Sequence, residues 1–289
     1  MKRNWFSSSP SDSGRSLDIV RIVVALILLI HPIYAFIHPG DIRGFGHFLE
    51  SRGFPLGVGL AWMVMFLQVG SSLALMAGRL VVLGCMGHIF VLGMGIWLVH
   101  APRWYTVGGA AEEGHPGAEF NVLLIACLLG VLWAHWHRVA DGSSPGEHGD
   151  LAARRGLDIV RVAAALILST HPLHGVFHPA GLRGFGHQFD SSGFHYGLQL
   201  VWTLMFFQIA CSLAVVVRRF VVPACAGHIF VFCMGIWQAH WPLWFVVGPG
   251  EEGMEYSVLL IACFFSVLLA YWPRQHHCLD TFHTLEEIG

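Results

Sequence analysis

The chain has 289 residues, of which 55% are hydrophobic and only 12% charged, with a formal net charge of −2 and a mean hydropathy of +0.62. A soluble domain usually carries about twice that share of charge, so the numbers point to the bilayer as solvent. The near-neutral balance offers nothing to a nucleic-acid partner.

Residues 1–16, MKRNWFSSSPSDSGRS, read as a polar, basic cytoplasmic tail. The apolar run behind it is about 20 residues long, too long for a signal-peptide core. No small-residue cleavage site follows, so it is expected to stay as a first membrane helix. Four apolar runs follow one another, at about 17–37, 56–78, 80–100 and 120–137, and make a first unit over 17–137. A polar Gly/Ser/Pro-containing linker, 138–156, leads to four more at about 157–177, 197–217, 219–240 and 257–273, a second unit over 157–273. Residues 274–289 form a second cytoplasmic tail. Its His276, His277, Cys278 and His283 make a tract that can bind metal, with a disordered tail as the plainer reading.

Roughly 20 residues at 1.5 Å each cross a ~30 Å hydrocarbon layer, so eight spans are expected. Continuous rather than alternating apolarity makes them helices. The expected fold is all-α: a polytopic membrane protein of two parallel four-helix bundles.

The two units repeat one another. Leu17-Asp-Ile-Val-Arg21 recurs as Leu157-Asp-Ile-Val-Arg161, and Gly87-His-Ile-Phe90 as Gly227-His-Ile-Phe230, at an offset of 140 (157−17, 227−87). After a four-residue deletion the offset is 136, and Val122-Leu-Leu-Ile-Ala-Cys127 recurs as Val258-Leu-Leu-Ile-Ala-Cys263. Four spans per unit is an even number, which gives both copies one orientation. Ten basic residues (Lys2, Arg3, Arg15, Arg79, Arg138, Arg154, Arg155, Arg218, Arg219 and Arg274) fall on the amino-terminal side, against Arg43, Arg52, Arg103 and Arg183 on the other. The positive-inside rule then puts both termini and the linker in the cytoplasm, with the chain in the cytoplasmic (inner) membrane.

Polar groups recur inside these runs. His31 lies 14 residues into the first span, roughly 21 Å from its cytoplasmic end. His88 lies 8 residues into the third, roughly 12 Å from that face, and Gln68 descends the second span to nearly the same level. His38 and His100 sit at the outer interface, Glu119 opens the fourth span there, and His47 is in the outer loop. The second copy repeats them as His171, His228, Gln208, His178, His240, Glu255 and His187. Polar groups in lipid cost a few kcal/mol unless partnered, so they are expected to face the bundle. His31, His88, Gln68 and Glu119, with His171, His228, Gln208 and Glu255, are the candidates for proton handling, quinone hydrogen bonding or metal binding. Interhelical hydrogen bonds that only fix packing are the alternative. His38, His100, His178 and His240 are candidate zinc or copper ligands, without a short ligand motif such as HExxH. His31 and His88 as axial ligands of a haem would sit about 9 Å apart in depth (6 residues), a poor match to opposed ligands.

Asp18 and Arg21, like Asp158 and Arg161, are three residues apart and share a helix face, where they can pair and anchor the first span of each unit. A Phe/Gly-rich stretch, Gly44-Phe-Gly-His47 and Gly184-Phe-Gly-His187 with the residues to Phe54 and Phe194, suggests a short interfacial or re-entrant element that could lid the outer mouth. Trp104, Tyr105, Trp244 and Phe245 fall where an aromatic belt is expected. The seven cysteines mostly sit in apolar runs without a CxxC, and read as small buried apolar residues.

This pattern resembles the DoxX family of small four-helix membrane proteins, over roughly 17–137 and again 157–273. The resemblance is carried by LDIVR opening the first helix, a histidine late in it (His31, His171) and the GFGH loop. A glycine-rich third helix and a glutamate before the fourth (Glu119, Glu255) complete it. It implies a membrane redox role, including quinone-linked oxidation of thiosulfate, or an operon partner in redox or metal homeostasis. The chain departs from the family in being two fused units. It has Gln68 and Gln208 where a glutamate is common, and lacks the lysine often found after the first-helix histidine. The expected function is a membrane redox subunit exchanging electrons or protons with quinone, with a periplasmic or membrane protein partner. The rivals are a non-catalytic assembly or copper-handling subunit, and a small-solute or metal transporter.

Overall fold

The computed structural model describes residues 13–100, 118–140, 147–240 and 253–272. Among these residues the chain is helical, without a strand. The first half holds α1 (Ser13–Ile37), α2 (Pro39–Ser51), α3 (Gly57–Ala77), α4 (Val81–Gly95) and α5 (Glu119–Ala140). The second half holds α6 (Glu147–Phe177), α7 (Pro179–Ser191), α8 (Gly197–Val216), α9 (Val221–Gly235) and α10 (Glu255–Tyr271). Single π-helical turns, Ile96–His100 and Ile236–His240, prolong α4 and α9.

Each expected run falls on a helix to within two residues at its ends, but not all eight helices are shown to be of spanning length and apolarity. Among the described residues, six helical stretches are both long and apolar enough to cross a membrane. They lie in α1, α3, α4 with its π turn, α5, α8, and α9 with its π turn. Helix α10 is apolar but has 17 residues. Helix α6 dilutes its apolar run with Asp158, Arg161, Ser169, Thr170, His171 and His174. It also begins ten residues before the expected span (157−147), because Leu-Ala-Ala-Arg-Arg favours helix and Glu147 and Asp150 suit its first turn. Much of the stretch expected as linker is therefore helical. Residues 13–16, expected in the first tail, instead open α1; the rest of that tail, the second tail and the aromatic belt fall outside the described residues.

Packing follows the repeat. Helix α1 packs on α3 and α5, α3 on α4, and α4 on α5, closing a four-helix ring; α6, α8, α9 and α10 close a second ring in the same order. The rings meet where α5 packs on α6 and α1 packs on α10 and α6. Exchanging the halves turns the α5–α6 contact into α10–α1 and returns α1–α6 to itself. That is the signature of an approximate two-fold axis between the rings. Outward faces stay apolar: Leu26, Phe66, Leu83, Phe90, Leu129, Phe206, Leu213 and Phe230 are all exposed. Water would oppose such a surface, and acyl chains do not.

Small residues let the rings touch. A Cβ on Gly156 of α6 would lie 2.3 Å from the Gly130 carbonyl oxygen of α5, and one on Gly130 would lie 2.6 Å from that of Gly156. At the equivalent α1–α10 contact the positions are Ser16 (156−140) and Ser266 (130+136), both buried. Between lipid-embedded helices, where no hydrophobic force favours association, such close approach is the source of van der Waals and Cα–H···O attraction.

Helices α2 and α7 are the short elements expected at the outer end. Each is amphipathic in sequence and lies on the helix that follows, α2 on α3 and α7 on α8. The second glycine of each GFGH motif explains this: a Cβ on Gly57 would be 2.1 Å from the Gly46 carbonyl oxygen, and one on Gly197 would be 2.1 Å from that of Gly186. The turn after each helix uses Gly53 at φ +88° and Gly193 at φ +89°.

Gly156→Ala forces the α5–α6 crossing apart and is expected to cost about 1–3 kcal/mol. Gly149→Ala, where a Cβ meets nothing within 4 Å, is expected to be neutral or stabilising. Thermal unfolding of both variants in detergent checks the contrast.

Candidate functional site

The deepest polar groups are the histidines of α4 and α9. His88 and His228 are each 0% exposed. His88 Nε2 lies 3.0 Å from Ser72 Oγ on α3, and His228 Nε2 lies 3.3 Å from Ser212 Oγ on α8. Each histidine therefore pairs with the neighbouring helix of its own ring. The glycine before each histidine allows the approach: a Cβ on Gly87 would lie 2.4 Å from Ser71 Oγ, and one on Gly227 would lie 2.6 Å from the Phe207 ring. The other ring nitrogen, Nδ1, has no hydrogen-bond partner in either histidine among the described residues. Such an imidazole can donate or accept at Nδ1, according to its tautomer, while the serine holds its ring in place.

The copies differ around this pair. His228 stacks on Phe264 of α10 with ring centroids 4.5 Å apart. The position equivalent to Phe264 is Leu128 (264−136) on α5, which cannot stack. Gln208 is buried, whereas Gln68 is only half-buried.

A second level lies nearer the outer end. Glu119 and Glu255 are the first residues of α5 and α10, and each is 6% exposed. The positive end of the helix dipole favours a carboxylate there. Glu119 Oε1 has no hydrogen-bond partner among the described residues. His171 is half-buried and lies 6.0 Å, centroid to centroid, from Tyr256, the residue after Glu255. Tyr256 and Phe264 are eight residues apart on α10, so the two levels are roughly 12 Å apart. His31 is half-buried, and its Nδ1 lies 3.3 Å from the Ile27 carbonyl oxygen of its own helix. Among the described residues no hydrogen bond or ring contact joins His31 to His88.

The outer histidines behave differently. His38 and His178 are exposed at the N-caps of α2 and α7, with Nδ1 3.0 Å from the carbonyl oxygens of Tyr34 and His174. They stack on those residues' rings at 4.1 and 4.0 Å. His47 is exposed beside Glu50, 3.2 Å away, and His187 is exposed as well. The side chains of His100 and His240 lie outside the described residues. Among the described residues, no three His, Cys, Asp or Glu side chains gather as a metal site would require.

The Asp/Arg pairs do more than the spacing alone indicates. Arg21 Nε donates to Asp18 at 3.1 Å, and its Nη1 donates to the Leu75 carbonyl in the last turn of α3. Arg161 donates likewise to Asp158 at 3.1 Å, and to the Val215 and Val216 carbonyls at the end of α8, the latter at 3.0 Å. Arg218 adds a second contact to Asp158. Each arginine thus adds a side-chain donor to the last turn of a neighbouring helix, where the Leu75 and Val215 carbonyls otherwise accept only from the turn N–H groups of Gly78 and Arg218. Only a fold that brings the end of α3 or α8 beside the start of α1 or α6 reveals this role. The nearest signal in the sequence is an arginine inside an apolar run.

A paired, sequence-conserving arrangement of deep histidine, outer glutamate and arginine-capped helix ends now stands beside the LDIVR and GFGH motifs. Residues 16–101 match the DoxX family model. That part of the chain is therefore similar to a DoxX domain. The match takes in α1 to α4 with the π turn, and so includes Arg21, His31, Gln68 and His88. No curated protein and no solved structure matches the chain.

Within the DoxX-like region, Ser72→Ala leaves His88 buried with neither nitrogen satisfied, and is expected to cost about 1–3 kcal/mol. Arg161, with a side chain 3% exposed against 12% for Arg21, is the more costly capping residue to lose. Arg161→Met is expected to destabilise by about 3–5 kcal/mol, and Arg21→Met by less. Unfolding midpoints of the three variants in one detergent test this order.

Proposed function

We propose that the protein is a cytoplasmic-membrane redox subunit that handles protons and electrons with a quinone at His88 and His228. The observation that carries this reading is a fully buried imidazole held by serine on one nitrogen, with the other nitrogen unpaired. That donor set suits a quinone oxygen, which needs one hydrogen bond that can become a proton transfer. Quinone, when bound, supplies a lipid-soluble carrier of two electrons and two protons. Ser72 and Ser212 hold the rings, the apolar surroundings keep water from competing, and Nδ1 would hold the quinone oxygen and exchange a proton with it. Glu119 and Glu255, with His31 and His171, form the outer relay. Gln68 and Gln208 are neutral hydrogen-bonding neighbours, and no carboxylate serves at those two positions.

On this reading residues 157–273 are a second unit of the same design, and all eight apolar runs cross the bilayer. The cytoplasm holds both termini. Arg21 and Arg161 support that orientation. By tying the start of α1 to the end of α3, and the start of α6 to the end of α8, they gather Arg15, Arg79, Arg154, Arg155, Arg218 and Arg219 at one end of the bundles.

The test is quinone content. Protein purified in mild detergent is expected to retain extractable quinone. His88→Ala with His228→Ala is expected to lower it at least tenfold, at unchanged yield of folded protein. Retention of quinone by the double variant rejects the site.

A further inference from the structure

We infer that Cys127 and Cys263 form a redox-sensitive dithiol pair, able to join the two halves through a disulfide on the axis between them. Their Sγ atoms lie 3.4 Å apart, and both residues are 0% exposed. They are equivalent positions of the two copies (263−127 = 136) and belong to the core shared by both rings. The contact is in register rather than accidental. Seven residues earlier, the equivalent pair Phe120 and Tyr256 meets edge to face at 5.9 Å. Seven residues later the equivalent positions are Ala134 and Ala270, both buried. A seven-residue spacing keeps one seam of each helix facing the other, so like positions of α5 and α10 meet through their side chains at Phe120–Tyr256 and at Cys127–Cys263. The seam is aromatic at its outer end, thiol at its centre and alanine at its inner end. The small alanines leave the helices room to draw together.

A disulfide needs the sulfurs to close from 3.4 Å to about 2.05 Å and the two Cα atoms to stand within about 7 Å, which takes rotamer change and an approach of α5 to α10. Two S–H bonds break and one S–S bond forms; two electrons and two protons pass to a lipid-soluble two-electron oxidant. A disulfide is neutral, as the dithiol is, so oxidation places no charge in the bilayer. Cys85, Cys211 and Cys225 are also buried, but among the described residues only the 127–263 pair has sulfurs in contact.

The pair does not rest on the quinone reading. Its test uses the full-length protein in native membranes and the membrane-permeant oxidant diamide, whose N=N bond is reduced to the hydrazine as the disulfide forms. After oxidation the sample is blocked with N-ethylmaleimide in SDS, digested and mapped by mass spectrometry. The expected product is a Cys127–Cys263 linked peptide that disappears on reduction, and is absent from Cys127→Ser and Cys263→Ser variants. Recovery of both cysteines as maleimide adducts, or linkage of either to a different cysteine, overturns the inference. The His88→Ala, His228→Ala variant is expected to give the same linked peptide. Loss of quinone and loss of the cross-link are thus separate outcomes.

Discussion

A helix in hydrocarbon can satisfy polar groups only with protein, and that single constraint organises this molecule. Outward faces carry leucine, phenylalanine and methionine. Several of the buried polar groups find a partner on an adjacent helix. Serine reaches histidine between α3 and α4 and again between α8 and α9, and arginine reaches the spent carbonyls at the ends of α3 and α8. Even the exposed histidines of α2 and α7 lean on carbonyls one turn back. Remove water, and each ionisable side chain becomes a commitment to a particular neighbour.

The second organising feature is how closely the backbones approach. Gly130 against Gly156 sets the seam between the rings, and Gly46 against Gly57 fixes the short outer helix on the span that follows. In lipid the contact surface itself must supply the attraction, so a missing side chain counts for more than a large one. The two-fold relation follows from repetition. Equivalent surfaces meet across an axis, and residues near that axis, Phe120 with Tyr256 and Cys127 with Cys263, meet their own counterparts.

Repetition has not kept the halves equal. The deep histidine of the second half stacks on Phe264, while the first half has Leu128 at that place. Gln208 is buried and Gln68 is not. Arg161 is more enclosed than Arg21 and shares its aspartate with Arg218. The same backbone plan thus holds two histidine environments, one more aromatic than the other.

The sequence alone determined the helical class, the bounds of most of the long helices, the repeat with its offsets, and the placing of polar residues inside apolar runs. Those features depend on composition and on local spacing, which a single helix already expresses. The DoxX resemblance was legible for the same reason, since its motifs are short and local. Which helices touch was decided only by tertiary structure. His31 and His88 are on the same list of candidates in the sequence, yet one faces a carbonyl of its own helix and the other a serine of the next. Arg21 and Arg161 read as anchors, but they cap helices more than fifty residues away along the chain. The meeting of Cys127 and Cys263 depends on how α5 and α10 rotate about their axes once the rings are joined. Spacing places a residue on a face of its helix; the packing of glycines and serines at distant positions decides what that face meets.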